Sequence, residues 1–348
     1  MLDDLKYIHQ RDSQDALGIA EKQWQQYVHR FDIAWDDNWK PAAVVVAGMG
    51  GSAQAASALA AVSGVRVPFE VVRGYELPAY VNSSCLLICS SYSGNTEETI
   101  SALEQATAIP EGERPRITVI SVGGELQKKA ESGGLKFIPI PQVAQPRYSF
   151  GYQFAALNQL MERAGLVGDT QETLGRISEK IKSAVADWRP DVPTKNNLAK
   201  QLAMELAGKS PVIYAGPKLF PAAYKWKINF NENAKNVAWC NQYPEFNHNE
   251  FIGWSSHPVQ KPYSIVELRS QHEHGQIQKR FELTDRLLSG RWPTPLVIDI
   301  PKGQSASEDL GWAVALGDFV SIYLGLINNV DPGPVDLVEK FKTELNNT

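Results

Sequence analysis

Ala42-Ala43-Val44-Val45-Val46-Ala47-Gly48-Met49-Gly50-Gly51-Ser52-Ala53-Gln54-Ala55-Ala56-Ser57-Ala58 decides the fold class. Its apolar run lacks the polar alternation of a half-exposed strand and so suits a strand covered on both faces. It then passes through glycines straight into a helix of small residues. That is the opening of a parallel α/β sheet. Outward from it the pattern repeats. Strands are predicted at 42–47, 69–72, 85–90, 117–122 and 136–140, with helices at 52–62, 96–106 and 125–132. Residues 151–209 carry only amphipathic helical segments, at 153–164, 171–188 and 196–207. Strand signals resume at 212–215, 237–240, 264–268 and 296–300, and a closing helix at 335–345 follows Asp331-Pro332-Gly333-Pro334. The expected organisation is an N-terminal helical segment (1–40, with Asp12 or Ser13 as caps), a first α/β unit (41–150), a helical connector (151–209) and a second α/β unit (210–348).

A chain of 348 residues is long enough for roughly two such domains. Its 34 basic and 39 acidic residues give a net charge of −5 without long blocks of either sign, which argues against nucleic acid or a membrane surface as partner. Cys85, Cys89 and Cys240 make no disulfide framework, and the first two fall in a strand signal. The first twenty residues lack a secretory pattern and no window approaches 18 apolar residues, so a cytoplasmic protein is expected.

Two strand-to-helix loops carry the chemical signal. In the first, Gly50, Gly51 and Ser52 offer a close backbone approach and helix N–H groups to an anion. The same residues also read as a tight turn with Ser52 as cap. Gly48-x-Gly50-x-x-Ala53, with Glu70 twenty residues beyond Gly50, further satisfies a dinucleotide fingerprint. The second loop, Ser90-Ser91-Tyr92-Ser93-Gly94-Asn95-Thr96, sets hydroxyls at Ser91, Ser93 and Thr96 around one turn, a ring suited to a phosphate monoester. Its bland alternative is a helix capped by Asn95 with Glu98 closing a capping box.

The first loop, followed some forty residues later by Ser91-Tyr92-Ser93-Gly94-Asn95-Thr96-Glu97-Glu98-Thr99, resembles the sugar isomerase (SIS) domain, whose second loop supplies hydroxyls to a sugar phosphate. Gln145-Pro146-Arg147, Asn231-Glu232-Asn233-Ala234-Lys235 and Pro244-Glu245-Phe246-Asn247-His248-Asn249-Glu250, with Leu316-Gly317-Asp318-Phe319 and Asp331-Pro332, are similar to one branch, the bifunctional phosphoglucose/phosphomannose isomerases. The resemblance spans the chain. It implies two tandem SIS-type doubly wound units and a homodimer whose active site is shared between subunits. It also implies a cofactor-independent, metal-free aldose–ketose isomerase that interconverts glucose 6-phosphate, and mannose 6-phosphate, with fructose 6-phosphate.

Such a reaction needs a base to move a proton between carbons 2 and 1 through an enediol. Glu232 lies among Asn229, Asn231 and Asn233, where partial burial would raise its pKa toward the working pH, although a surface ion pair with Lys235 is the simpler reading. The resemblance places the base at Glu232. It assigns ring opening to His248, donated across the interface, and enediolate stabilisation to Arg147. It places Lys342, a neighbour of Lys340, at the sugar ring. Asn247 and Glu250 also read as a helix cap with its box partner, and His272-Glu273-His274 as a solvated helix end rather than metal ligands. His9, His29 and His257 join no polar motif, and Trp226, Trp239 and Trp254 suit either a core or an interface. Gly333 stands where relatives carry a threonine associated with the mannose epimer, so this departure bears on that substrate. Two other functions fit parts of the pattern: a catalytically silent sugar-phosphate sensor, and a nucleotide-dependent oxidoreductase built on the first loop and Glu70.

Overall fold

The computed structural model describes residues 1–255 and 262–346. The first sheet contains β1 (Ala43–Ala47), β2 (Phe69–Val72), β3 (Cys85–Ser90), β4 (Arg116–Ser121) and β5 (Lys136–Pro139), in the order β2-β1-β3-β4-β5. The second contains β6 (Ser210–Ala215), β7 (Trp239–Gln242), β8 (Tyr263–Arg269) and β9 (Leu296–Asp299), in the order β7-β6-β8-β9. All pairings are parallel. Each predicted strand is present with ends displaced by at most two residues. His257 lies outside the described residues.

Parallel pairing requires helical crossovers, and these cover both faces of the first sheet. The period of two along each strand sends alternate side chains into different cores. Val44, Val46, Leu86 and Ile88 pack with Ala55, Leu59 and Phe154, whereas Val45, Ala47, Leu87 and Cys89 pack with Leu103, Ala106 and Leu126. Cys85 and Cys89 are buried free thiols in β3.

In both sheets the chain begins at an inner strand, adds a neighbour on one side and then crosses to the other. The C-terminal edge between β1 and β3, and that between β6 and β8, are therefore topological switch points, where α/β sheets open a crevice for ligands.

The longest helix, Ala306–Ile327, escaped the sequence reading because it is apolar on nearly every side and so lacks amphipathic periodicity. It also corrects the expectation that no segment reaches membrane-spanning length. By length and composition it qualifies, but 94% of its most apolar window is buried inside the protein. It packs against helices Thr170–Val185, Leu198–Leu206 and Phe220–Asn233, and one apolar cluster runs from Leu2 to Leu326 through both units.

The N-terminal segment forms three short helices, Leu5–Arg11, Ala16–Lys22 and Trp24–Tyr27. Asp4 and Asp15 cap the first two, in place of the expected Asp12 or Ser13. Asp12 instead accepts from the amides of Ala16 (2.7 Å) and Leu17 (2.9 Å), and burial raises its pKa. The segment is strapped to the end of the central helix region: Tyr7 donates to the Leu326 carbonyl (2.7 Å) and Arg11 Nε to Asn329 Oδ1 (2.6 Å).

Candidate active site

Strand β1 ends at Ala47 and helix Gly50–Val62 starts two residues beyond Gly48, so its first amides face the crevice beside β3. Ser52 lies inside the first turn. It is not a cap; its Oγ accepts from the Tyr92 amide (3.2 Å) and ties the first loop to the second. In the second loop, Ser91 Oγ and Thr96 Oγ1 share a hydrogen bond at 2.7 Å, and Ser91 Oγ accepts from the Gly94 amide at 3.2 Å. Gly94 has φ +71°, and a Cβ there would overlap the Gly123 carbonyl, so only glycine fits. Ser93 is exposed, with its Oγ accepting from the Asn95 amide at 3.2 Å. The capping alternative is corrected as well. Thr96 is the N-cap of helix Glu97–Ala108, and Asn95 Oδ1 instead accepts from the Glu125 amide (3.0 Å), bracing the loop against the next helix.

The strap after β5 brings Arg147 to the same edge. A Cβ on Gly51 would lie 3.6 Å from the Pro146 carbonyl oxygen and 3.9 Å from Arg147 Cα. Tyr92 braces this strap, donating to the Val143 carbonyl (2.6 Å) and accepting from its amide (2.7 Å). Arg147 is 2% exposed and meets Glu232, which ends the helix Phe220–Asn233 of the second unit, at 3.1 Å. Its Nε donates to Asn233 Oδ1 (2.5 Å), and its Nη2 donates to the carbonyls of Pro332 (2.7 Å) and Gly333 (2.6 Å). Arg147 therefore joins the two units and the Asp331-Pro332-Gly333-Pro334 turn.

The Glu232–Lys235 ion pair expected from spacing is absent. Lys235 donates to the main-chain oxygens of Glu232 (2.9 Å) and Asp331 (2.6 Å), and burial lowers its pKa. Glu232 is 36% exposed and paired with Arg147, so it is less enclosed than its asparagine neighbours suggested. Those asparagines have structural work. Asn229 bonds Lys225 (2.7 Å) and Asp318. Asn231 Oδ1 accepts from the Ala238 amide (3.1 Å). Asn233 also accepts from Tyr148 (3.0 Å) and donates to Ser321 (2.8 Å). Sequence reasoning missed Tyr148 and the two turn carbonyls, and main-chain acceptors leave no side-chain signal.

His248 and Lys342 are not brought to this cluster within the chain. The helix ending at Glu232 begins at the C-terminal edge of the second sheet and runs about 20 Å to the opposite edge. His248 follows β7 at the edge where that helix starts, and its side chain is exposed. Asn247 and Glu250 anchor the loop rather than form a helix cap and its box partner. Asn247 bonds Thr284 (3.1 Å) and Arg280 (3.0 Å), Glu250 bonds Tyr214 and Asn241, and Asn249 caps Glu250. Lys342 lies on the exposed helix Asp336–Asn346, paired to Glu339 at 2.8 Å, while Lys340 meets Glu344 at 3.7 Å.

The second unit's switch point differs from the first. Glu273 is 6% exposed and accepts from the amides of Lys218 (2.9 Å) and Leu219 (3.1 Å), so a carboxylate of the chain itself fills the place of an anion there. This corrects the solvated-end reading of 272–274, in which His274 caps helix Gly275–Leu287. Glu70 is exposed at edge strand β2 and bonds Tyr80. Trp226 is core, Trp254 nearly so, and Trp239 is 47% exposed. Among the described residues no three His, Cys, Asp or Glu side chains gather as a metal site.

Residues 195–345 match the family model of the bacterial phospho-glucose isomerase C-terminal SIS domain. The chain is 36% identical over 307 residues to the bifunctional phosphoglucose/phosphomannose isomerase of Caldicellulosiruptor bescii, covering 87% of this chain and 89% of that one. It is 30% identical to the enzyme of the same name from Aquifex aeolicus over 305 residues, 87% and 90% of the two chains. A glucose-6-phosphate isomerase like protein from Thermus thermophilus shares the fold with a TM-score of 0.65 at 18% identity, covering 98% of both chains. With this site between two SIS-type units and relatives of this identity along most of its length, the chain belongs to the bifunctional phosphoglucose/phosphomannose isomerase family.

Proposed function

We propose that this chain isomerises glucose 6-phosphate and mannose 6-phosphate to fructose 6-phosphate through an enediol. The observation that carries the reading is the 3.1 Å pairing of Arg147 with Glu232, a carboxylate and a fixed guanidinium held beside a hydroxyl-lined switch-point crevice. In this reading Ser52, Ser91, Ser93, Thr96 and the amides of Gly50 and Gly51 hold the phosphate. Glu232 transfers the proton between carbons 2 and 1. Arg147 stabilises the oxyanion formed on the way, its buried side being fixed by acceptors that cannot follow the substrate.

Ring opening is assigned to His248 of the partner subunit, in a homodimer with a shared site. An exposed imidazole on a rigidly anchored loop, remote from Glu232 of its own chain, supports that arrangement. Lys342 is assigned to the sugar ring across the same interface: its helix also exposes Leu337 and Phe341. Unpaired cysteines fit a cytoplasmic setting. The Glu232→Gln variant tests the base: it should fold and bind sugar phosphate yet lose most turnover in a coupled isomerase assay. Substantial remaining turnover would refute the role.

A further inference from the structure

All five N–H groups of Arg147 are engaged, which raises the question of where an oxyanion enters. Nε and Nη2 lie on the buried side, held by Asn233 and by the carbonyls of Pro332 and Gly333. Nη1 alone has part-exposed side-chain partners, Glu232 at 3.1 Å and Gln145 Oε1 at 3.4 Å. Of the two contacts on Nη1 the one to Gln145 is the longer and weaker, and the still longer one from Nη2 to Tyr148 Oη (3.5 Å) is buried, so the Gln145 contact is the one a substrate oxygen exchanges most easily. The position of the Gln145 amide is set from elsewhere: its Nε2 donates to Gln14 Oε1 at 2.9 Å.

Gln14 is itself clamped. A Cβ at Gly333 would lie 2.7 Å from Gln14 Cδ and Oε1, so the Gln14 amide occupies the space that any side chain at 333 would take. The flanking residues fix this contact, through Arg11 to Asn329 and through Asp12 to the amides of Ala16 and Leu17.

We infer that Gln14 is a positioning residue for the reaction: by holding Gln145 back from Nη1, it keeps the edge of Arg147 beside Glu232 open to the substrate oxyanion. This rests on the enediolate role proposed for Arg147. Because that charge develops only as the reaction proceeds, loss of the positioning lowers kcat and leaves KM nearly unchanged.

The test compares Gln14→Leu, which keeps the bulk without the acceptor, Gln14→Glu, which keeps the acceptor, and Gly333→Ala, whose methyl displaces the amide. Gly333 has no positive φ, so alanine is tolerated there. Gln14→Leu and Gly333→Ala should each lower kcat about 3- to 10-fold with KM within about twofold. Gln14→Glu should restore most of the loss, and the Leu/Ala double variant should be no worse than either single one. Wild-type kcat in Gln14→Leu, or an equal loss in Gln14→Glu, would overturn the inference. Arg147→Lys separates the levels. If it is impaired while Gln14→Leu is not, only this inference fails; if it is unimpaired, the reading of Arg147 fails first.

Discussion

Replacing Arg147 by lysine keeps the positive charge and removes the planar fork, which makes it the sharpest perturbation of the site. Five donors become three, while the acceptors stay where the fold holds them: Asn233 Oδ1, two turn carbonyls, Gln145 and Glu232. At least two charge-assisted bonds are lost at a position only 2% exposed, a stability cost of about 3 kcal/mol or more. The catalytic cost is separate. Removing a donor aimed at a developing oxyanion lowers kcat about 100- to 1000-fold. KM should move by less than about threefold, because the phosphate is held by loops that Arg147 does not hydrogen-bond. A coupled isomerase assay run below the midpoint of thermal unfolding measures both constants on folded protein. A folded Arg147→Lys variant with kcat within about tenfold of wild type, or one altered in KM alone, would refute the reasoning.

Further outcomes follow from other residues. Ser91→Ala combined with Thr96→Val, which removes the 2.7 Å hydroxyl pair, should raise KM about tenfold with a smaller effect on kcat, measured by initial rates. His248→Ala should fail on the cyclic substrate but retain part of its activity on an open-chain analogue; equal losses would remove the ring-opening role. Mixing Glu232→Gln and His248→Ala subunits should restore about a quarter of wild-type activity, since one of two sites in each mixed dimer is intact; no recovery would place both residues in one chain. Glu267 is buried in β8 and its pKa is pushed up to about 7 from 4.5 by loss of solvation, against the opposing pull of Arg269. Between those values the folded state holds a proton that the unfolded chain releases, so stability falls as pH rises from about 4.5 to 7. Glu267→Gln should flatten that slope in urea titrations, and an unchanged slope would exclude Glu267 as its source.

The strands were legible because burial on both faces writes itself as runs such as Val44-Val45-Val46 and Leu86-Leu87-Ile88. The central helix Ala306–Ile327 was not, since a helix enclosed on all sides loses the polar face that marks its period. At the site, Arg147 and Glu232 stood out as charges in unusual company, and the structure joins them. Caps were misassigned at Ser52, Asn95 and Asn247 because short polar side chains that could bond locally bond across elements instead, to Tyr92, Glu125 and Arg280. Gln14 gave no signal at all. Its partner Gln145 is 131 positions away, and its clamp at Gly333 is a side chain that is absent.

The most direct measurement is a crystal structure of the Glu232→Gln variant with fructose 6-phosphate bound. The phosphate should rest on Ser52, Ser91, Ser93 and Thr96, with carbons 1 and 2 within about 3.5 Å of the position 232 side chain and their oxygens on the Arg147 guanidinium. A phosphate bound elsewhere, for instance in the cavity of about 810 Å³ beside Lys180 and Lys302, or reacting carbons turned away from position 232, would contradict the proposed chemistry.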